Sequence, residues 1–477
     1  MKADAQSTAA RAAPEVARPR RRRPSRGVPR TIKRGQRERL IDAMVELSIR
    51  GGYHEVSITE LCAYAGVSSE SFYEQFQSKE DCFLAAYRAC AERIFAGIRA
   101  AVAGADWSAV PRLALAELFG NLERDPDAGR LLFIEALGAG PTIRAERRRV
   151  LAEFERGAEE ALGRTPEDAS RIDVPLTAVI GALRHVISRD LRAHSADRLP
   201  ARLEDGVRWL YAYAVPASAR RWSTSPAALL AGVPELAPAA WAPQTLPPGT
   251  HGLPASLIAR SQRTRLIFAT AEVMLAKGYQ RAKITDIVAA ARVGRGVFYE
   301  YFKGKEDAFL EAQQYPTQYI LDQCIRAYFS AGAWPLRLWR CLETLLRLIA
   351  ENPAISHLRL VECYAVGPAA IRRAEEVTRS FTMFLEEGYR YRPGATSLPR
   401  LFPHAIAGAI FEIVQRKVEQ GESATLAAHL PQLAYIALAP FTGAQEAIAL
   451  VEDMRVRDQG AGGRHDGEQR PRTEVVA

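Results

Sequence analysis

The sequence predicts an all-α fold built from two copies of one helical unit. Three observations carry that expectation. Apolar residues recur at helical spacing, and no alternating strand pattern persists. The stretch from Gln36 to Leu84 returns without a gap at Gln262 to Leu310, a shift of 226 residues, with close to half its positions identical. Between the copies, the proline-rich segment from Pro216 to Ser256 disfavours long helices and reads as a semi-extended linker. A period this long exceeds the roughly 20 to 50 residues of stacked repeats, so it means duplication of a whole domain.

The chain opens with an arm over residues 1–34. Its eleven Lys or Arg and two acids account for the entire net charge of +9 of the 477-residue chain. With Arg20, Arg21, Arg22, Arg23 and Arg26 set among Ala, Pro and Ser, it lacks the apolar residues for a core and is expected to be disordered. A basic arm of this kind suits phosphate tracking or minor-groove entry. No segment reaches 18 uninterrupted apolar residues, and no signal-peptide core is present, so a soluble cytoplasmic protein is expected.

In the first unit, Leu40, Met44 and Leu47 form one stripe of a helix that Gly51-Gly52 ends. Ser57-x-x-Glu60 is a capping box that opens a second, short helix, and Ser78-x-x-Asp81 starts a fourth. Between them, Ala65 is small where two helices cross, Gly66 permits a tight turn, and Val67 plugs the angle before a third helix begins at Ser69: helix-turn-helix spacing. In that third helix Phe72 and Phe76, four residues apart, face inward, which directs Ser69, Glu70, Ser71 and Tyr73 outward. Later breaks at Asp125-Pro126 and Gly140-Pro141 have partners at Asn352-Pro353 and Gly367-Pro368, a shift of 227 residues, so the duplication includes the C-terminal bodies. The six cysteines form no C-x-x-C pair and read as reduced core thiols. The eight histidines show no ligand spacing, and no catalytic constellation recurs, so neither a metal, a cofactor nor an enzyme is expected. Trp107 and Trp334 read as core residues.

The strings AGVSSESFYEQFQSKEDCF and ARVGRGVFYEYFKGKEDAF resemble the tetracycline-repressor (TetR) family of bacterial transcriptional regulators, strongly over Gln36 to Leu84 and Gln262 to Leu310. The resemblance implies two TetR-like units, each a three-helix DNA-binding head plus a helical ligand-binding and dimerisation body. The expected boundaries are the arm 1–34, head one 35–90, body one 91–215, linker 216–256, head two 257–315, body two 316–445 and a disordered tail 446–477. It implies that Thr59 and Thr285, Tyr73 and Tyr299, and Lys79 and Lys305 lie at operator phosphates. Base reading would fall to Ser68, Ser69, Glu70 and Ser71 in one head and to Gly294, Arg295, Gly296 and Val297 in the other. Both copies depart from the family pattern. Glu70 stands where a small residue is usual, and Arg292 occupies the turn of head two, whose Gly296 and Arg295 make it the better DNA reader.

The family also implies a small-molecule effector held among the body helices and dimerisation through the last two helices, here Val174 to Arg192 with Leu199 to Val215, and Leu401 to Gln420 with Leu426 to Ala439. Gly181-Ala182 aligns with Gly408-Ala409, small residues that allow close helix contact. The function expected is a ligand-responsive, sequence-specific regulator of transcription, a repressor, bound to a double-stranded operator at the nucleoid as an intramolecular pseudo-dimer. The alternatives are a four-headed homodimer and a ligand-binding or protein-interaction scaffold with one inactive head.

Overall fold

The computed structural model describes residues 35–162, 171–215 and 253–465. The arm, nearly all of the linker, and the tail beyond residue 465 lie outside the described residues.

Each half begins with the short-helix arrangement that the sequence implies. In half one, α1 (Gln36–Gly51), α2 (Ile58–Ala65) and α3 (Ser69–Gln75) form the head. The long α4 (Lys79–Val102) then leads into the body: α5 (Val110–Arg124), α6 (Pro126–Arg130), a π-helical turn at Leu131–Glu135, α7 (Ala136–Gly138), α8 (Pro141–Leu162), α9 (Leu176–Arg192) and α10 (Leu203–Tyr211). The one departure from an all-helical half is a two-residue antiparallel pairing, Arg171 with Val215 and Ile172 with Ala214.

Half two repeats this plan. Its head comprises α11 (Ala255–Lys277), α12 (Ile284–Ala291) and α13 (Arg295–Tyr301). The counterpart of α4 is broken into α14 (Lys305–Gln314) and α15 (Thr317–Phe329), because Pro316 has no amide proton to continue the helix. The body follows as α16 (Trp334–Glu351), α17 (Pro353–His357), a second π-helical turn at Leu358–Glu362, α18 (Cys363–Val366), α19 (Pro368–Phe381), α20 (Met383–Glu386), α21 (Phe402–Glu419) and α22 (Leu430–Thr442).

A last helix, α23 (Ala444–His465), corrects the expected start of the tail at residue 446. Ala447, Val451 and Met454 recur at i, i+4 and i+7 and are buried against α22, so this stretch has an apolar stripe to hide despite its charged remainder. Trp334 is buried, its indole nitrogen donating to Phe384 O at 3.0 Å, whereas Trp107 is only half-buried. All six cysteines are buried and free. No helix among the described residues is long and apolar enough to cross a membrane.

The bodies meet through α9 and α21. A Cβ on Gly181 would stand 2.7 Å from Gly408 O, and one on Gly408 would stand 2.8 Å from Gly181 O, so both glycines are needed where the helices cross. At the far end of the contact Tyr213 donates its hydroxyl to Ile436 O at 2.9 Å and packs beside Tyr435. Arginines from half one then meet acids from half two across the junction. Arg184 Nε lies 2.6 Å from Glu412 Oε2, and Arg147 Nη2 lies 3.2 Å from Glu412 Oε1. Arg144 bridges Glu362 at 3.0 Å and Glu419 at 3.2 Å, and Arg148 reaches Glu419 at 2.6 Å. One pair runs the other way, Arg416 to Glu155 at 3.0 Å.

Candidate nucleic-acid interface

Each head is assembled around two phenylalanines on its third helix. Phe72 and Phe76, and their counterparts Phe298 and Phe302, are buried at 2 % exposure or less, which fixes the rotation of α3 and α13. That rotation leaves Tyr73 59 % and Tyr299 48 % exposed on the outward faces of their helices. The turns before these helices differ. Gly66 is left-handed at φ 64°, natural for glycine, whereas Arg292 adopts the same conformation at φ 53° with a Cβ to accommodate.

Ser68 caps α3: its hydroxyl accepts from Ser71 N at 3.1 Å and donates to Ser71 Oγ at 3.1 Å. Two of the four expected base readers in head one are thus engaged with each other, while Ser69 and Glu70 are exposed and free of that pairing. In head two Gly294 occupies the cap position without a side chain. Arg295 is exposed and lies along the same face as Tyr299, with its guanidinium 5.8 Å from the ring centroid. Gly296 leaves open space beside it, and Val297 is half-buried against the head-two core rather than fully presented. Thr59 and Thr285 are exposed in the first turns of α2 and α12.

The two lysines expected at phosphate are half-buried and bond to backbone carbonyls of their own heads. Lys79 Nζ donates to Tyr53 O, His54 O and Val56 O at 3.1, 3.1 and 2.8 Å, using all three of its protons. Lys305 Nζ donates to Tyr279 O and Ala282 O at 2.8 and 3.1 Å. Each ammonium also sits over a tyrosine ring, Tyr53 at 4.6 Å and Tyr279 at 4.3 Å, and burial lowers both lysine pKa values. They clamp the loop between the first and second helices, which positions the head.

Each head is latched to its body by matching bonds. His54 Nε2 lies 2.9 Å from Gly138 O, and at the corresponding place Gln280 Nε2 donates to Ala365 O at 3.0 Å. Head two has a further tie, because Glu362 Oε2 accepts from Tyr279 N at 2.7 Å while its other oxygen takes Arg144 of half one. Burial works against that carboxylate's charge, but His357, Arg144 and the Tyr279 amide outweigh it and lower its pKa. At the equivalent position of half one, burial prevails and pushes Glu135 up to about 7 against the pull of Arg130 and Arg192.

Besides the heads, a cleft of ≈ 50 Å³ opens at the junction of the two halves, lined by Arg184, Arg192, Gln313, Arg359 and Arg373 among others. Neither this cleft nor the arginine-to-glutamate junction was anticipated. A signal was there: residues 144–149 read Arg-Ala-Glu-Arg-Arg-Arg, while the aligned residues 371–376 read Ile-Arg-Arg-Ala-Glu-Glu, a change of charge between copies.

Two tri-helical heads, each with a left-handed turn and an exposed tyrosine on the helix beyond it, define a helix-turn-helix protein with the motif present twice. Both heads match the family model described as bacterial regulatory proteins, tetR family, at residues 40–86 and 266–312, so the DNA-binding motif of that family occurs twice in this chain. Among curated proteins, the chain is 30 % identical over 120 residues to the HTH-type transcriptional activator FasR of Mycolicibacterium smegmatis, an alignment covering 25 % of this chain and 53 % of FasR. The chain therefore spans about half the length of that relative. Among solved structures, the fatty acid degradation regulator FadR from Bacillus halodurans aligns at 21 % identity and TM-score 0.34, over 37 % of this chain and 94 % of that one. FadR from Bacillus subtilis, solved with stearoyl-CoA, aligns at 16 % identity and TM-score 0.32, over 36 % and 96 %.

Proposed function

We propose that the chain is a single-molecule transcriptional regulator in which two unlike heads, carried on bodies paired within one chain, read an asymmetric operator. The observation that supports this reading is the α9–α21 crossing within one chain, since a TetR-like dimer would contribute such a helix pair from two chains. The unlike recognition helices, Ser-Glu-Ser at Ser69 to Ser71 against Arg-Gly-Val at Arg295 to Val297, add to it, since only identical subunits are bound to a palindrome. Tyr73, Tyr299, Thr59 and Thr285 hold phosphate. Arg295 suits guanine O6 and N7, and Ser69 and Glu70 supply the reading of the other half-site. The basic arm adds sequence-independent affinity. A small effector that prefers one arrangement of the bodies shifts the heads and so alters occupancy of the operator. We read the outcome as repression in the cytoplasm. FasR is named as an activator, and a reporter placed behind the bound site decides the sign.

Selection of bound sites from a random DNA pool, with light scattering at nanomolar protein, tests the reading. The expected result is two unlike half-sites bound by a particle of one chain mass. A strict palindrome bound by a particle of two chain masses would overturn it in favour of four heads.

A further inference from the structure

The junction cleft differs from the rest of the interface in its charge balance. Arg184 and Arg192 are answered there by Glu412 and Glu375. Arg359 and Arg373 are not: Arg359 donates to Thr317 Oγ1 at 3.1 Å and Arg373 to Leu310 O at 2.6 Å, and neither has an ion-pair partner among the described residues. Arg359 is half-buried, and burial pushes its guanidinium down to about 10, the direction expected of a cation short of counter-charge. Beside them Gln313, 4 % exposed, donates through Nε2 to Ala370 O at 2.9 Å, while its Oε1 is buried with no hydrogen-bond partner. The bond to Ala370 O fixes the amide orientation, so the orphan atom is an acceptor.

Uncompensated guanidinium groups call for an oxyanion, and the orphan acceptor calls for a proton on it. A space of ≈ 50 Å³ admits one small group rather than a whole drug-sized molecule. We infer that this cleft binds a protonated phosphate group, free or carried on a small molecule, one per chain, between the halves. It occurs once because half one lacks the parts: Leu132 stands at the position of Arg359, Tyr87 at that of Gln313, and Glu146 at that of Arg373. Glu146 is itself taken by Arg88 and Arg149.

The site also has a route to one head. Arg359 and Glu362 belong to the same π-helical turn, Leu358–Glu362, and Glu362 holds the Tyr279 amide of head two. An anion drawing on Arg359 bears on that turn, and so on head two alone. This deepens the effector part of the function proposed above and rests on it for the regulatory consequence, but not for the binding.

The test uses full-length protein without DNA. Titrations with sodium phosphate, glycerol phosphate and sodium sulfate at constant ionic strength and about pH 6, where roughly half of a phosphate monoester keeps its last proton, followed by calorimetry and thermal shift, should show phosphate binding at least about tenfold more tightly than sulfate, which carries no proton there. Tighter binding of glycerol phosphate identifies a carried phosphoryl group, and tighter binding of phosphate identifies the free ion. Arg359→Gln and Arg373→Gln should each weaken binding about tenfold or more, and Gln313→Glu, which sets a carboxylate facing the ion, should do the same if an arginine variant fails to fold. Amide exchange at Tyr279 should change on binding while exchange at Tyr53 does not. Equal response to phosphate and sulfate, or an unchanged response in the three variants, would mean an adventitious ion only and overturn the site. Since no DNA is present, that failure leaves the docking of the heads untouched, and a failure to select DNA sites leaves this titration untouched.

Discussion

Lys79 shows how a residue can be legible in place while its contacts within the fold are not. Its place at the start of α4 is legible in the Lys-Glu-Asp string, but the three carbonyls that consume its protons are brought together only by the fold of Tyr53 to Val56. Lys79→Ala should therefore lower stability by roughly 1–3 kcal/mol in chemical denaturation, the order of losing several hydrogen bonds to a charged group. The salt dependence of DNA binding should stay unchanged. A slope reduced by about 0.9 would instead return the ammonium to a phosphate. Tyr73→Phe and Tyr299→Phe, at side chains about half exposed, should weaken binding to all sequences alike without altering the melting temperature. Arg295→Ala should relax base choice in one half-site only, by roughly 1–3 kcal/mol of discrimination, read from a second round of site selection. Phe72 and Phe76 were readable because an inward pair at i and i+4 has one physical meaning; Ser68 was not, since a serine opening a helix can cap it or face a groove.

Among the elements, heads were more legible than bodies. Capping boxes, the Gly66 turn and paired prolines mark helix ends locally, whereas α23 hides a narrow apolar stripe in charged sequence and the π-helical turns leave no local sign. The α9–α21 junction carries its own prediction. Burial alone would raise the Glu412 pKa, but Arg184 and Arg147 reverse this and hold it at about 2, below the ordinary 4.5. A carboxylate depressed by folding contributes stability that is complete above the ordinary value and is lost as pH falls towards 2. Glu412→Gln should cost roughly 3–5 kcal/mol at neutral pH, because it leaves buried guanidinium groups short of a counter-charge. It should also flatten the loss of stability that the natural chain shows between about pH 4.5 and 2, followed by urea unfolding across that range.

At the scale of the molecule, duplication was plain from the repeat, but the alliance between the halves was not, because complementarity between positions more than two hundred residues apart has no local signature. Deleting residues 1–30 should lower affinity for every DNA sequence and reduce the salt slope, with circular dichroism and melting nearly unchanged; equal binding at moderate salt would reduce the arm to a tail. The arginines of Arg144, Arg147 and Arg184 against Glu362, Glu412 and Glu419 also bear on inheritance. In half one the places of those three acids are held by Glu135, His185 and Arg192, and in half two the places of the three arginines are held by Ile371, Ala374 and Phe411. A gene that recombined between its own repeats, or copied one over the other, would encode either arginines facing arginine and histidine or buried acids facing apolar side chains. The two descendants of the original unit have diverged into a lock and its key, and neither can any longer stand in for the other.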